Sequence, residues 1–419
     1  MTKTKPLIQL REMIAAALSS MTNLGKSFRT FIIETMELYL TSSGRMNFTQ
    51  MARCSCSCES RFRQNFKKPF DWLSFNRHFL SPMMGHRIAI GIDPCFIPKA
   101  GKKTPGVDWF WSGCAGAIKH GLEILGLSIV DADTKDAVFL KAEQTFTQKC
   151  RGRKPKCTRG MDDPDSLTGW YLRMLCRISK QLLSICNLIV ADAYFSKESF
   201  VTGIKELGFN IISRFRDDVS LKYLYRGPKA RKRGRPQKFA GKVDLKNLDM
   251  NIFKEEYSVD DKLVYKLYTA DVWAVSLGRE VRVVIVDYLD TGKKTQVRKV
   301  FFSTDLTLSA RDIFDIYRTR FQLEFVFRDA KQFTGLTHCQ ARNKEALAFA
   351  FNASLSSVNV ARAYARQQGH NLSVGSTKTL LHNAAMVDRF IAMSAKHANS
   401  RLNNTDFKEL LFYGVRAVA

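Results

Sequence analysis

The run Arg87–Ile97, RIAIGIDPCFI, reads as a β-strand with a carboxylate in its middle. It is β-branched and bounded by Gly85 and Pro98, the punctuation expected of a strand. A carboxylate buried without a partner is costly, so Asp93 must face a ligand or a sheet edge. The competing reading is a strand-end aspartate before Pro94.

The elements that follow limit the fold further. Leu122–Val130 reads as a second strand, with Gly126 as its weak point, and Ala137–Phe146 as a third. The turn at 131–136 joins them into an antiparallel meander. Leu167–Ile185 is periodic and helical. Leu188–Ala191 is a short buried strand ending in Asp192. Ser196–Leu207 is a helix with a cap at Ser196, and Asn210–Phe215 is the next strand. Residues 226–246 form a basic loop, and 264–304 return to strand-like alternation. Asp305–Phe333 reads as one long helix, and the rest as helical with breaks near Gly369 and Gly375. Residues 1–80 are mostly helical. Within them, two short segments, Asn47–Arg53 and Ser60–Phe66, resemble a helix-turn-helix or equally an ordinary helical subdomain with a basic face.

Sixty-six Lys and Arg face thirty-nine Asp and Glu, a net charge of +27. A field of that sign draws polyanions, and nucleic acid is the first partner to consider. A ribosome-associated protein or a merely basic enzyme is the alternative. No membrane span is expected. The most apolar stretch, Ala346–Ala363, is interrupted by Asn352, Asn359 and Arg362. The N-terminus reads as an amphipathic helix rather than a leader, because Arg11 and Glu12 interrupt its apolar patch. The ten cysteines fit no disulfide framework at this length. Cys54, Cys56 and Cys58 read as reduced thiols, with zinc the exception.

Three carboxylates, Asp93, Asp192 and Glu324, are the candidates for metal-dependent phosphodiester chemistry. Hard divalent cations take oxygen ligands, and two ions about 4 Å apart activate the attacking oxygen and stabilise the leaving one. Around Glu324 a straight helix advances about 100° per residue. Tyr317, Arg320, Glu324 and Lys331 then share an arc of about 60°. One face presents a phenol, a guanidinium, a carboxylate and an ammonium, groups that can hold phosphates and metal. A solvated charged face is the alternative. The flanking Leu323, Phe325, Val326 and Phe327 argue for burial.

The pattern Tyr317-xx-Arg320-xxx-Glu324-xxxxxx-Lys331 resembles the YREK signature of the insertion-sequence-four group of bacterial DDE transposases. Asp192-Ala193-Tyr194-Phe195 resembles that family's second aspartate motif, and Asp93 in GIDPCFIPKAGKKTPG its first. Segments 212–216 and 338–342 are similar as well, so the resemblance covers roughly residues 45–360. It implies an α/β fold: an RNase H-like mixed sheet flanked by helices and interrupted by a β-rich insertion. On that reading residues 1–80 are a helical, DNA-end-binding region. Residues 81–216 and 305–345 are the two parts of the core, 217–304 the insertion with its basic loop, and 346–419 a helical C-terminal region. The resemblance further implies that Asp93, Asp192 and Glu324 bind two Mg²⁺ ions, with Mn²⁺ also suitable. Tyr317, Arg320 and Lys331 would contact the backbone of the transposon end. The implied chemistry is strand cleavage at the element's ends and strand transfer into target double-stranded DNA. It would be carried out by a homodimer on paired ends, in the bacterial cytoplasm at the nucleoid. A nuclease of the same fold without strand transfer, or an inactive DNA-binding repressor, are the alternatives.

Arg233 and Arg235 lie in ARKRGRPQK, which resembles an AT-hook that enters an A·T minor groove. An exposed loop making phosphate contacts is the other reading. The run 151–156 is a similar basic stretch. Gly101-Lys102-Lys103-Thr104 matches part of a phosphate loop, but Phe96 stands where glycine is required, which excludes nucleotide binding there. Asp131/Asp133 and Asp162/Asp163 read as exposed turns. Trp109 and Trp111 are candidates for base stacking or for packing in the interior.

The charge alone predicts an outcome. Affinity for duplex DNA should fall by roughly a thousand-fold or more between low and physiological salt, as bound Lys and Arg displace condensed counterions. A titration across a salt series checks this, and a flat response contradicts the polyanion reading.

Overall fold

The computed structural model describes residues 4–81, 84–101, 103–146, 166–227, 236–260, 263–289, 298–393 and 409–415. Arg233, Arg235, the basic run 151–156 and Asp162/Asp163 lie outside the described residues.

Five helices come first: α1 Lys5–Ser19, α2 Lys26–Thr41, α3 Phe48–Arg53, α4 Glu59–Asn65 and α5 Trp72–Arg77. Asn47 caps α3 by accepting from the Gln50 N–H at 2.9 Å, and Asp71 caps α5 through the Ser74 N–H at 3.1 Å. Four strands follow: β1 Ile88–Pro98, β2 Asp108–Ser112, β3 Ala117–Asp131 and β4 Asp136–Gln144. Next are α6 Leu167–Leu183, β5 Leu188–Val190, α7 Glu198–Glu206 and β6 Asn210–Arg214. The segment after Asp217 supplies β7 Leu221–Leu224, β8 Phe239–Lys242, β9 Lys254–Asp260, β10 Leu263–Ala274, β11 Arg279–Leu289 and β12 Arg298–Ser303. The chain continues with α8 Ala310–Thr319, α9 Gln322–Gln332, α10 Lys344–Gln367 and α11 Val374–Met393. Among the described residues no helix is long and apolar enough to cross a membrane.

The strands form one mixed sheet. From β4 it runs through β3, β1, β5, β6, β12 and β11 to β10, whose other edge is shared by β9 and β7. The β1–β5 and β5–β6 pairs are parallel, and β1, β3 and β4 are the expected antiparallel meander. Strands in the middle of the sheet are buried on both faces, which is why Val283–Val286 is an unbroken apolar run. Its alternate residues enter two cores. Val284 and Val286 pack with α8–α11 and the N-terminal helices on one face, and Val283 and Ile285 pack with α6 and α7 on the other.

Four expectations are corrected. The long helix at 305–333 is two helices, because Arg320, Phe321, Leu323 and Glu324 all donate to carbonyls three residues back, at 3.1–3.3 Å. That tighter turn interrupts the α-helical ladder. Ser196 does not cap α7. Residues 193–195 form a short 3₁₀ turn, and the Ser196 hydroxyl donates to the Ala193 carbonyl at 2.7 Å instead. Asp131 is fully buried, accepting from the Gly85 N–H, from the Asp133 N–H at 2.8 Å and from the Thr134 hydroxyl at 2.9 Å. Gly375 lies inside α11, and the break falls between residues 368 and 373.

Among the described strands β4 pairs only with β3, so its outer edge needs other hydrogen-bond partners. Helix α10 provides them. Asn352 exchanges both bonds with Ala142 (2.8 and 2.9 Å), and Asn359 does the same with Phe139 (3.0 and 2.8 Å). Seven helical residues rise about 10.5 Å, and three strand residues span about 10 Å, so the two amides match the strand's spacing. Asn76 joins the network, accepting from Asn359 at 2.9 Å and donating to Leu140 O at 3.0 Å. Asn359→Ala leaves a buried N–H and C=O of Phe139 without partners. It should lower stability by about 2–4 kcal/mol, measured as a shift of the urea midpoint at constant slope.

Candidate active site

Register brings two of the three candidate carboxylates together. Gly91 of β1 pairs with Val190 of β5. Asp93 and Asp192 each lie two residues further along, Asp93 within β1 and Asp192 just past the end of β5, so both fall beyond the same end of this parallel pairing. Asp192 is fixed locally. Its carboxylate accepts from the Tyr194 N–H at 3.0 Å, and its carbonyl accepts from the Ser213 hydroxyl at 2.8 Å.

Glu324 arrives on α9, which lies across β1 and β3. The approach is close because the sheet beneath it lacks a side chain at Gly126. A Cβ on Gly126, the residue paired with Asp93, would lie 2.5 Å from Cζ of Phe327. A Cβ on Gly91 would lie 3.8 Å from Leu323 Cδ2. Leu323, Val326 and Phe327 are buried against this floor, which leaves Glu324 on the flank beside Asp93.

Arg320 joins the two acids. Its guanidinium lies 3.8 Å from Asp93 Oδ1 and 2.9 Å from Glu324 Oε1, and 6.0 Å from the centre of the Tyr317 ring. Burial works against the charge on Arg320, but Asp93, Tyr317 and Glu324 hold its pKa above the ordinary arginine value. Asp93 is pushed up to about 7, first by burial and then by Asp192, Glu324 and Glu123, with Arg320 opposing. The three candidate acids thus share one electrostatic neighbourhood. Among the described residues no three His, Cys, Asp or Glu side chains are closed around one point as an ion's ligand shell, and Arg320 bridges Asp93 and Glu324 instead. The donor set is nonetheless oxygen only, with Asp93 raised by its burial and its acidic neighbours, and that chemistry fits a hard divalent cation.

Tyr317 belongs to the same cluster, half-buried at the end of α8. Burial raises its phenol, opposed by Arg320 and Arg214. Lys331 is half-buried seven residues beyond Glu324, about 10.5 Å further along a helix axis. Two other neighbours were not singled out from the sequence. Among the described residues, Arg214 of β6 has a buried Nε–H with no hydrogen-bond partner, as does Arg320. Glu123 of β3 is buried, accepts from the Tyr171 hydroxyl at 2.7 Å and is raised by that burial. The segment 212–216 carried the only signal for Arg214. For Glu123 there was none, since one acid in an apolar strand has no period to mark it. Trp109 and Trp111 are exposed, at 63% and 61%, on one face of β2, so interior packing is not their role. Cys54, Cys56 and Cys58 are exposed between α3 and α4.

With this geometry in hand, the comparisons define the class. A model described as DDE superfamily endonuclease matches residues 40–257, more than half the chain. The chain belongs to the DDE endonuclease superfamily. A second model, for the transposase DDE domain, matches residues 176–360, so the protein carries a transposase domain of that superfamily. No curated protein matches the chain. Among solved structures, a piggyBac transposase synaptic complex with hairpin DNA is similar at 13% identity and a TM-score of 0.41. That match covers 99% of this chain and 84% of the other.

Gly126→Ala tests how the third carboxylate is positioned. The added methyl overlaps Phe327 and lifts α9 from β3. Stability should drop by about 1–3 kcal/mol, the range for overpacking, with DNA cleavage falling as well. An unchanged urea midpoint and full cleavage would show that the close approach of α9 is unimportant.

Proposed function

We propose that this protein cleaves DNA strands at the ends of a mobile element and joins them to target DNA, with Asp93, Asp192 and Glu324 as its catalytic acids. The observation that carries the reading is that Asp93 and Asp192 follow the same end of the parallel β1–β5 pairing, with Glu324 held to Asp93 through Arg320. The strand order β4-β3-β1-β5-β6, three antiparallel then two parallel, with helices on both faces, supports an RNase H-like core. Residues 217–304 then read as an insertion that extends the sheet, and α1–α5 as the region that binds the element's ends.

In this mechanism Asp93, Asp192 and Glu324 hold two Mg²⁺ ions, or Mn²⁺, which when bound supply Lewis-acid stabilisation of the reacting phosphate. A water oxygen bonds to the scissile phosphorus in line with the 3′ oxygen. The P–O3′ bond breaks, and a water proton ends on O3′, leaving a 3′-hydroxyl and a 5′-phosphate. That hydroxyl then attacks a target phosphorus and displaces the target's own O3′, which takes up the proton. One phosphodiester replaces another, so joining needs no external energy source. Arg320 and Arg214 supply the unpartnered buried N–H groups that non-bridging phosphate oxygens accept from. Tyr317 and Lys331 hold the strand beside the cut, and Arg233 and Arg235 contact DNA from the basic loop. Two copies act on paired ends.

Asp93→Asn removes a ligand but no basic contact. Cleavage of a terminal fragment in Mg²⁺ should fall by roughly three orders of magnitude or more, the scale of several kcal/mol of lost charge stabilisation, while fragment binding is retained. Full cleavage by the variant would sink the mechanism. Cleavage without joining by the native protein would leave only a nuclease.

A further inference from the structure

A second polar concavity lies at the far end of β1. Its volume is about 820 Å³, and it is built from three separate parts of the chain: Arg45 before α3, residues 98–101, 103 and 104 at and beyond the end of β1, and residues 337–340 and 342 after α9. Arg45, Lys99, Lys103, His338 and Arg342 line it, with no carboxylate among the described lining residues. Arg45, Lys103 and Arg342 are exposed, and Lys99 and His338 are half-buried.

The half-buried members are held in place. The Lys99 ammonium donates to the Cys339 carbonyl, which ties the two loops together. His338 accepts the Met46 N–H on Nδ1 at 3.1 Å, so its proton sits on Nε2. Gly335, at φ +73°, makes that contact possible, since a Cβ there would lie 2.7 Å from His338 Nδ1. The described lining carries only positive or neutral side chains. Burial lowers His338, and Arg45 and Lys378 lower it further by repulsion, while burial also lowers Lys99. An anion entering the cavity relieves that repulsion, and several donors from different segments fit several phosphate oxygens.

We infer that this cavity is a phosphate-binding site for the DNA backbone, engaging duplex about six base pairs from the acidic cluster. The spacing follows from β1: six residues separate Asp93 from Lys99, about 20 Å along a strand, against about 3.4 Å per base pair. Because Arg45 lies three residues before α3, the site links the N-terminal helices to the sheet. The inference rests on the reading of this protein as a DNA-processing enzyme. It adds to that reading a contact that acts on affinity, with no part in the chemical step.

The test uses the full chain in Mg²⁺-free buffer, with random-sequence duplex DNA and, separately, inorganic phosphate as probes. Arg45→Ala, Lys103→Ala and Arg342→Ala are combined, and Lys103→Glu is made alone as a milder change. The triple variant should reduce the slope of log affinity against log salt by roughly two to three, since each phosphate contact contributes about 0.9. Affinity at low salt should drop at least about ten-fold, with an unchanged melting temperature. Lys103→Glu should shift the slope in the same direction by about one. Slopes equal to that of the native protein overturn the proposal. A His338 ring resonance that moves with inorganic phosphate, while the DNA slopes stay unchanged, also overturns it and leaves a site for free phosphate. The expected slope change in the variants, together with a native protein that never cleaves in Mg²⁺, would defeat the catalytic reading alone.

Discussion

A carboxylate in the middle of a buried strand survives only where its charge is answered, and Asp93 governs the geometry around it for that reason. Burial drives the carboxylate above its ordinary range; Arg320 answers part of the charge across 3.8 Å, while Asp192 and Glu324 add to it. The protein therefore concentrates acid where a purely structural core would disperse it. Arg320 can reach both acids only because α9 lies close on β1 and β3. That closeness depends on the missing side chain of Gly126 and on Phe327 filling the space above it. One electrostatic need and one glycine set the height of a whole helix.

The same face of the sheet carries the N-terminal helices. Phe31 and Phe66 both pack on Phe349 of α10, and Met36 lies beside Ser357, so α1–α5 share a core with the C-terminal helices. Movement of α3 and α4 is thereby coupled to α10, and through its asparagines to β4. Aromatic pairs of this kind contribute about 0.5–1.5 kcal/mol each beyond their buried area. The chain segment that carries Arg45 is thus anchored on both sides.

Much of this organisation was legible in the sequence. The strands around Asp93 and Asp192 and the helices 167–183 and 344–367 announced themselves through period and punctuation. Asp93, Asp192 and Glu324 stood out because acids in apolar surroundings need a reason. What escaped has physical causes. Strand β3 begins with Ala117–His120, all four exposed, so no buried-and-exposed alternation marks its start. The tight turn at Arg320–Phe321 barely alters the apolar period, so two helices read as one. Asp131 looked like a solvated turn because nothing local shows that Gly85, 46 residues away, donates to it. The cavity around His338 combines three distant segments, each of which alone is an ordinary basic loop.

The pairing of α10 with the edge of β4 also acts as a ruler. Asn352 and Asn359 meet Ala142 and Phe139 because seven residues of helix and three of strand are nearly equal lengths. Inserting or deleting one residue between the asparagines turns the second amide by about 100°, away from the strand and into apolar packing. Length variation across the superfamily should therefore accumulate in the loops and in the segment after Asp217, and be excluded from residues 353–358. This stretch of α10 can change its letters but not its count.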